Sequence, residues 1–259
     1  MPKQLSVTGG SDIGRVRRRN EDAIALDAEA GVVVVADGMG GHPGGDVASR
    51  IAADTAAEVL VEAVRGRAPD RDFAAVMLGA AEEAVVTAHR RIRARGRERS
   101  ELDGMGTTLT ALAVDLSSRT WVIAHVGDSR AYRMRDEALE QLTRDDTWVQ
   151  QQIDSGVLGP EAAKASPYAH LLTQCLGLEE PPRPQVASGE CRAGDAFLLC
   201  TDGLVGMLDD ETLTDLLRRH AGTNGTGDET VQALLAAANE AGGHDNVTAA
   251  LVRLPDATT

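Results

Sequence analysis

Two apolar runs end in the same way: VVVVADGMGG from Val32 to Gly41, and FLLCTDGLVG from Phe197 to Gly206. Each run of aliphatic and β-branched residues reads as a buried strand, and each stops at an Asp-Gly step, Asp37-Gly38 and Asp202-Gly203. A third acidic step, Asp245-Asn246, stands just ahead of another apolar run, Val247 to Leu254. Where such strand ends meet at one edge of a sheet, three carboxylates converge beside glycines that leave backbone room. That donor set suits hard, oxygen-seeking divalent cations. Asp-Gly is also a hairpin dipeptide, but a two-residue hairpin needs its second strand at once. Asp37 is followed instead by GMGGHPGGD and a helical pattern, which places it at a strand-to-loop-to-helix junction where site residues collect.

With 259 residues the chain can bury a sizeable core, and 2% aromatic content means that core is built from Ala, Val, Leu and Ile. The net charge of −14 makes the surface a poor partner for a polyphosphate backbone, so nucleic acid is not an expected ligand. No apolar run reaches the length of a membrane span and Met1-Pro2-Lys3-Gln4 opens no signal peptide, so the expectation is a cytoplasmic protein without a membrane segment. Cys175, Cys191 and Cys200 have no metal-type spacing, and Cys200 lies within an apolar run as a small core residue. A carboxylate cluster repels itself until cations fill it, so any acidic site should be destabilising without metal and stabilising with it.

Short strands are predicted over Leu5 to Gly9 and Ala23 to Asp27, flanking the basic turn GRVRRRNED from Gly14 to Asp22. Helical periodicity runs from Asp46 to about Val64 through Val47, Ile51, Thr55, Val59 and Ala63. It resumes through Phe73, Met77, Ala80, Ala84, Ala88 and Ile92, ending in HRRIRARGRER, whose cations favour a helix C-terminus. Thr107 to Leu116, Thr120 to Val126 and Ala131 to Met134 read as successive strands, which argues for antiparallel sheet. From about 142 to 184 the pattern weakens into a mobile, flap-like insert with one helical piece, Thr147 to Ser155. Helices are predicted from Asp210 to His220 and from Asp228 to Ala241, with a joint from Ala221 to Gly227 between them, and a final strand follows. One α+β domain spanning 1–259 is the expectation.

Six segments in order resemble the bacterial form of the metal-dependent protein serine/threonine phosphatases, the PPM or type 2C family. They are Ser11 to Asp22, Val32 to Ser49, Asp103 to Leu112, Ala124 to Tyr132, Leu198 to Leu204 and Gly242 to Thr248. The resemblance implies a β-sandwich of two antiparallel sheets flanked by helices, a four-layer αββα fold. It implies Asp37 as a carboxylate bridging two metal ions, the Gly38 carbonyl as a further ligand, and Asp202 and Asp245 as ligands of the same pair. Asp103 is matched to the position that holds a third, weaker cation with Asp202, and Glu21 and Asp22 to acidic residues acting through bound water. Arg17 is matched to the arginine that grips substrate phosphate, a task its planar guanidinium performs bidentately as a Lys cannot.

The implied chemistry is hydrolysis of phosphoserine and phosphothreonine by direct attack of metal-activated water, with Mn2+ or Mg2+. Two such ions about 3.5–4 Å apart lower the pKa of a shared water towards ~7. The implied partners are phosphorylated proteins, targets of a serine/threonine kinase, met by a monomer. Two departures stand out: Met39 where eukaryotic members often carry His, and Asp145-Asp146-Thr147 where bacterial members usually show Asp-His-Ser. His42 matches a bacterial Gly-Gly-His step. A haloacid-dehalogenase reading fails, because Val35 and Cys200 occupy the positions of its nucleophilic Asp. The alternative on the same fold is a catalytically weak phosphoprotein-binding or sensor domain, and it is opposed by the presence of every expected carboxylate.

Overall fold

The strand Val32–Asp37 shows how the layers arise. Its even-numbered residues Val32, Val34 and Ala36 pack with alanines of two long helices, including Ala52, Ala56, Ala84 and Ala88. Its odd-numbered Val33 and Val35 face the other way, towards Phe197, Leu199, Ala250 and Val252. A strand whose successive side chains alternate sides, and which is apolar on both, must be covered on both. The computed structural model describes residues 4–39, 44–221 and 227–256. His42, the opening Met1-Pro2-Lys3 and most of the 221–227 joint lie outside the described residues.

The strands are β1 (Ser6–Asp12), β2 (Asp22–Asp27), β3 (Val32–Asp37), β4 (Leu109–Asp115), β5 (Thr120–Val126), β6 (Arg130–Arg135), β7 (Ala138–Gln141), β8 (Gln185–Glu190), β9 (Ala196–Cys200) and β10 (Val247–Arg253). They form two five-stranded antiparallel sheets, ordered β1-β10-β9-β6-β7 and β2-β3-β4-β5-β8. Helices α1 (Gly45–Gly66) and α2 (Phe73–Glu98) cover the second sheet. The short α3 (Trp148–Asp154) and α4 (Pro160–Lys164) lie in the 142–184 segment. Helices α5 (Asp202–Val205), α6 (Asp210–Ala221) and α7 (Gly227–Glu240) cover the first sheet through Leu204, Leu213, Leu217, Leu234 and Leu235. The αββα order expected from the resemblance is the observed one.

β9 repeats the logic of β3: Phe197 and Leu199 point between the sheets, while Leu198 and Cys200 point to the helices. The three cysteines are buried and free. The low aromatic content is met by alanine-lined helix faces that approach the sheet closely. No helix among the described residues is long and apolar enough to cross a membrane.

Both Asp-Gly steps are places where the chain must come close to itself. A Cβ at Gly38 would lie 2.3 Å from the Gly45 carbonyl oxygen and 2.6 Å from that of Glu21. At Gly203 it would lie 1.9 Å from the Asn246 carbonyl oxygen. Neither step makes a hairpin: Asp37-Gly38 leads towards α1, and Asp202-Gly203 opens α5.

Candidate metal centre and substrate cleft

The strand register brings the acidic residues together. Asp22 opens β2 directly opposite Asp37 at the end of β3. Asp202 follows β9, Asp245 precedes β10, and Asp128 sits in the turn between β5 and β6. All five belong to one end of the sandwich. There Arg17, Glu21, Asp37, Gly38, Asp202 and Asp245 line a cleft of about 650 Å³ together with Asp128 and His170.

A polar lattice fixes these positions. The Thr108 hydroxyl accepts the Asp37 backbone N–H at 2.9 Å and pairs with the Ser129 hydroxyl at 2.7 Å. The Asn246 side-chain oxygen accepts the Glu21 N–H at 2.8 Å, and its amide donates to the carbonyls of Ile13 and Arg19, each at 2.9 Å. One buried asparagine thus clamps the whole β1–β2 loop that carries Arg17 and Glu21. Asp22 is buried behind the cleft, and one of its oxygens accepts the hydroxyls of Thr201 at 2.9 Å and Thr248 at 2.6 Å.

Crowding shows in the proton affinities. Burial, then repulsion from Asp22, Asp202 and Asp128, holds Asp37 well above the usual carboxylate range. Burial lifts Asp22 to about 7 against the pull of its two hydroxyl donors. Asp128 is likewise raised, by burial and by Asp202. Asp202 moves the other way: burial opposes its ionisation, but hydrogen bonds from His170 and from the Asp37 carboxyl prevail. One oxygen each of Asp22 and Asp202 is buried with no hydrogen-bond partner. Orphaned carboxylate oxygens in a self-repelling cluster are what divalent cations satisfy, and an all-oxygen set favours Mg2+ or Mn2+ over softer metals. The residues fit the implied ions.

Asp103 does not join them. It is exposed after the 3-10 turn Ser100–Leu102, packed back towards Gly96 of α2, and is not among the residues that line the cleft. Asp128 stands beside Asp202 instead: ligand atoms of Asp128, His170 and Asp202 all lie within 4.8 Å of one another. The sequence reading missed Asp128 although its GDSR segment was in view, because Gly-Asp between two strands reads as a plain turn. It also missed His170, which comes from the patternless 142–184 segment and lies 3.5 Å from Asp202.

Two helix-covered antiparallel sheets with a carboxylate-crowded cleft at one end of the sandwich define the metal-dependent phosphatase class. The protein phosphatase 2C family profile matches residues 10–242, and the chain belongs to that family. It is 37% identical over 252 residues to the serine/threonine protein phosphatase PstP of Mycobacterium tuberculosis, covering 97% of this chain and 45% of that protein. The chain thus spans about half the length of that curated relative. It is 33% identical to the serine/threonine phosphatase stp of Listeria monocytogenes, covering 93% of each chain. Among solved structures, the catalytic domain of PstP in complex with two manganese ions superposes with a TM-score of 0.81 at 34% identity, covering 98% of this chain and 99% of that one.

Proposed function

We propose that this chain hydrolyses phosphoserine and phosphothreonine esters of proteins, with Mn2+ or Mg2+ as cofactor and water as the nucleophile. The observation that carries the reading is the meeting of Asp37, Asp202 and Asp245 with Arg17 in one cleft, although they come from distant parts of the sequence. The two manganese ions of the similar PstP structure support a paired site. Asp37, the Gly38 carbonyl, Asp202 and Asp245 would hold that pair, with Glu21 and Asp22 acting through water. Asp128 with Asp202 would serve a third, weaker cation. When bound, such ions supply Lewis acidity towards phosphate and acidify water.

The chain's own residues do the rest. Arg17 binds phosphate oxygens, its fork matching two of them at once. Thr108 and Ser129 keep the Asp37 backbone from shifting as charge builds in the cleft. Cys175 lines the cleft, but burial pushes its thiol up to about 11, so it is no nucleophile at neutral pH. A cleft thiol held in its protonated form fits direct hydrolysis by water without a cysteinyl phosphoenzyme. The 142–184 segment acts as a flap over the cleft, to which it contributes His170, Leu171 and Gln174. The substrates are products of a serine/threonine kinase.

Hydrolysis of p-nitrophenyl phosphate with Mn2+ or Mg2+, lost on chelation and in Asp202→Ala, tests the reading. Saturable phosphopeptide binding without turnover would replace it by a sensor function.

A further inference from the structure

The loop between β1 and β2 carries four arginines within five residues, Arg15, Arg17, Arg18 and Arg19, on a chain whose net charge is −14. Arg17 is the one of the four that forms a salt bridge with a cleft carboxylate among the described residues, while Arg19 acts on Glu21 through charge alone. The other three are exposed, and among the described residues no salt bridge engages them. Some arginines elsewhere, such as Arg65 and Arg91, are paired with acids, and others, such as Arg50, Arg90 and Arg183, are exposed outside any salt bridge among the described residues; what sets this loop apart is the clustering of four within five residues. An acidic protein that clusters Arg15, Arg18 and Arg19 outside any salt bridge beside a carboxylate-lined cleft keeps a basic rim against its overall charge.

The loop is held in place. Asn246 donates to its carbonyls at Ile13 and Arg19, and the Arg15 N–H donates to the Gly243 carbonyl at 2.8 Å. The arginines therefore spring from a fixed rim and do not sweep through solvent with the backbone. The same loop also exposes apolar side chains, Ile13 at 40% and Val16 at 61%. Exposed apolar residues interleaved with arginine are the composition of protein-contact surfaces, where arginine is enriched.

We infer that Arg15, Arg18 and Arg19 form a recognition rim for carboxylate side chains flanking the phosphorylated residue, so that the preferred substrates are phosphoproteins with acidic phosphosites. This rests on the phosphatase reading above and names the substrate class of that same site. Arg18 is the chain neighbour of Arg17, and charges act over ~8 Å at physiological salt, so carboxylates close to a phosphate on Arg17 are the groups such a rim attracts. An acidic peptide is otherwise repelled by a protein of net charge −14, and the rim lowers that barrier next to the cleft.

The test compares three phosphothreonine peptides with Glu, Gln or Lys at the flanking positions, alongside p-nitrophenyl phosphate, using the Mn2+-loaded full chain. The expected order of kcat/KM is Glu, then Gln, then Lys, narrowing as salt is raised. Arg18→Ala with Arg19→Ala should lower kcat/KM for the Glu peptide about five- to tenfold through KM and leave p-nitrophenyl phosphate turnover unchanged. Arg18→Glu with Arg19→Glu should invert the order. Equal rates on the three peptides, or equal losses on peptide and p-nitrophenyl phosphate, would overturn the inference while the phosphatase reading stood. No turnover of any of the four substrates would overturn the phosphatase reading itself, and the inference with it.

Discussion

Arg17 donates through Nη2 to Asp245 Oδ2 at 2.6 Å, so the guanidinium proposed to take phosphate rests on a carboxylate proposed to hold a cation. This hydrogen bond is the main reason the Arg17 pKa is raised. The two proposed roles would be linked, because a cation held by Asp245 would weaken that carboxylate's hold on Arg17 and free the fork for substrate.

Arg17→Ala should therefore lower kcat/KM for p-nitrophenyl phosphate about 10- to 100-fold, the range for a hydrogen bond to a charged group. Cation binding should survive, since the substitution also removes the competitor for Asp245. Arg17→Lys should restore part of the loss, because a single ammonium cannot reproduce two parallel bonds. Steady-state kinetics with Mn2+ titration calorimetry checks both halves. Equal sensitivity of Arg19→Ala towards this small substrate would show that the wrong arginine has been chosen.

Metal should act as a stabiliser. Filling a site that exists only in the folded chain adds about 2.7 kcal/mol at a hundredfold excess over Kd. Chelator should lower the melting temperature and Mn2+ should restore it. Asp37→Asn should melt higher than the parent in chelator, because one repelling carboxylate is gone, and should respond weakly to metal.

The metal-free chain should have an inverted pH dependence. Asp22 is lifted to about 7, and Asp37 and Asp128 also stand above their unfolded values. A carboxyl with a raised folded pKa binds more protons folded than unfolded. Its stabilising contribution is full below about pH 4 and lost as pH rises towards 7. His125 and His89, shifted down by burial, oppose this over the same range but are outnumbered by the three carboxyls, while Asp202, also shifted down, acts only below about pH 4. Thermal melts in chelator should fall from pH 5 to pH 8, and Mn2+ should flatten or reverse that slope.

Asp128 and Asp103 make opposite predictions. Asp128→Asn should raise the Mn2+ concentration needed for full activity, because Asp128 stands within reach of Asp202. Asp103→Asn should leave the activation curve in place, because Asp103 lies outside the cleft lining. Activity measured across a Mn2+ titration separates the two.

What could be read in the sequence follows from burial. β3, β9 and β10 are covered on both faces, and their largely apolar runs announced them. The helices α1 and α2 bury one face each, and the periodicity of Val47, Ile51, Met77 and Ala84 located them within a residue or two. β7 and β8 are edge strands with exposed side chains, ALEQ and QVASGE, so neither pattern nor propensity marked them. The first Asp-Gly step was legible because a glycine loop and helix follow it. Asp128 was not, because a turn between two strands explains Gly127-Asp128 fully until the fold places Asp202 beside it. His170 and the asparagine clamp of Asn246 depend on contacts that no local pattern encodes.

The most direct measurement is an anomalous difference map from crystals grown with Mn2+. The expected result is a pair of manganese peaks bounded by Asp37, the Gly38 carbonyl, Asp202 and Asp245. A cleft without manganese at saturating concentration, or peaks confined to other acidic surfaces, would contradict the account.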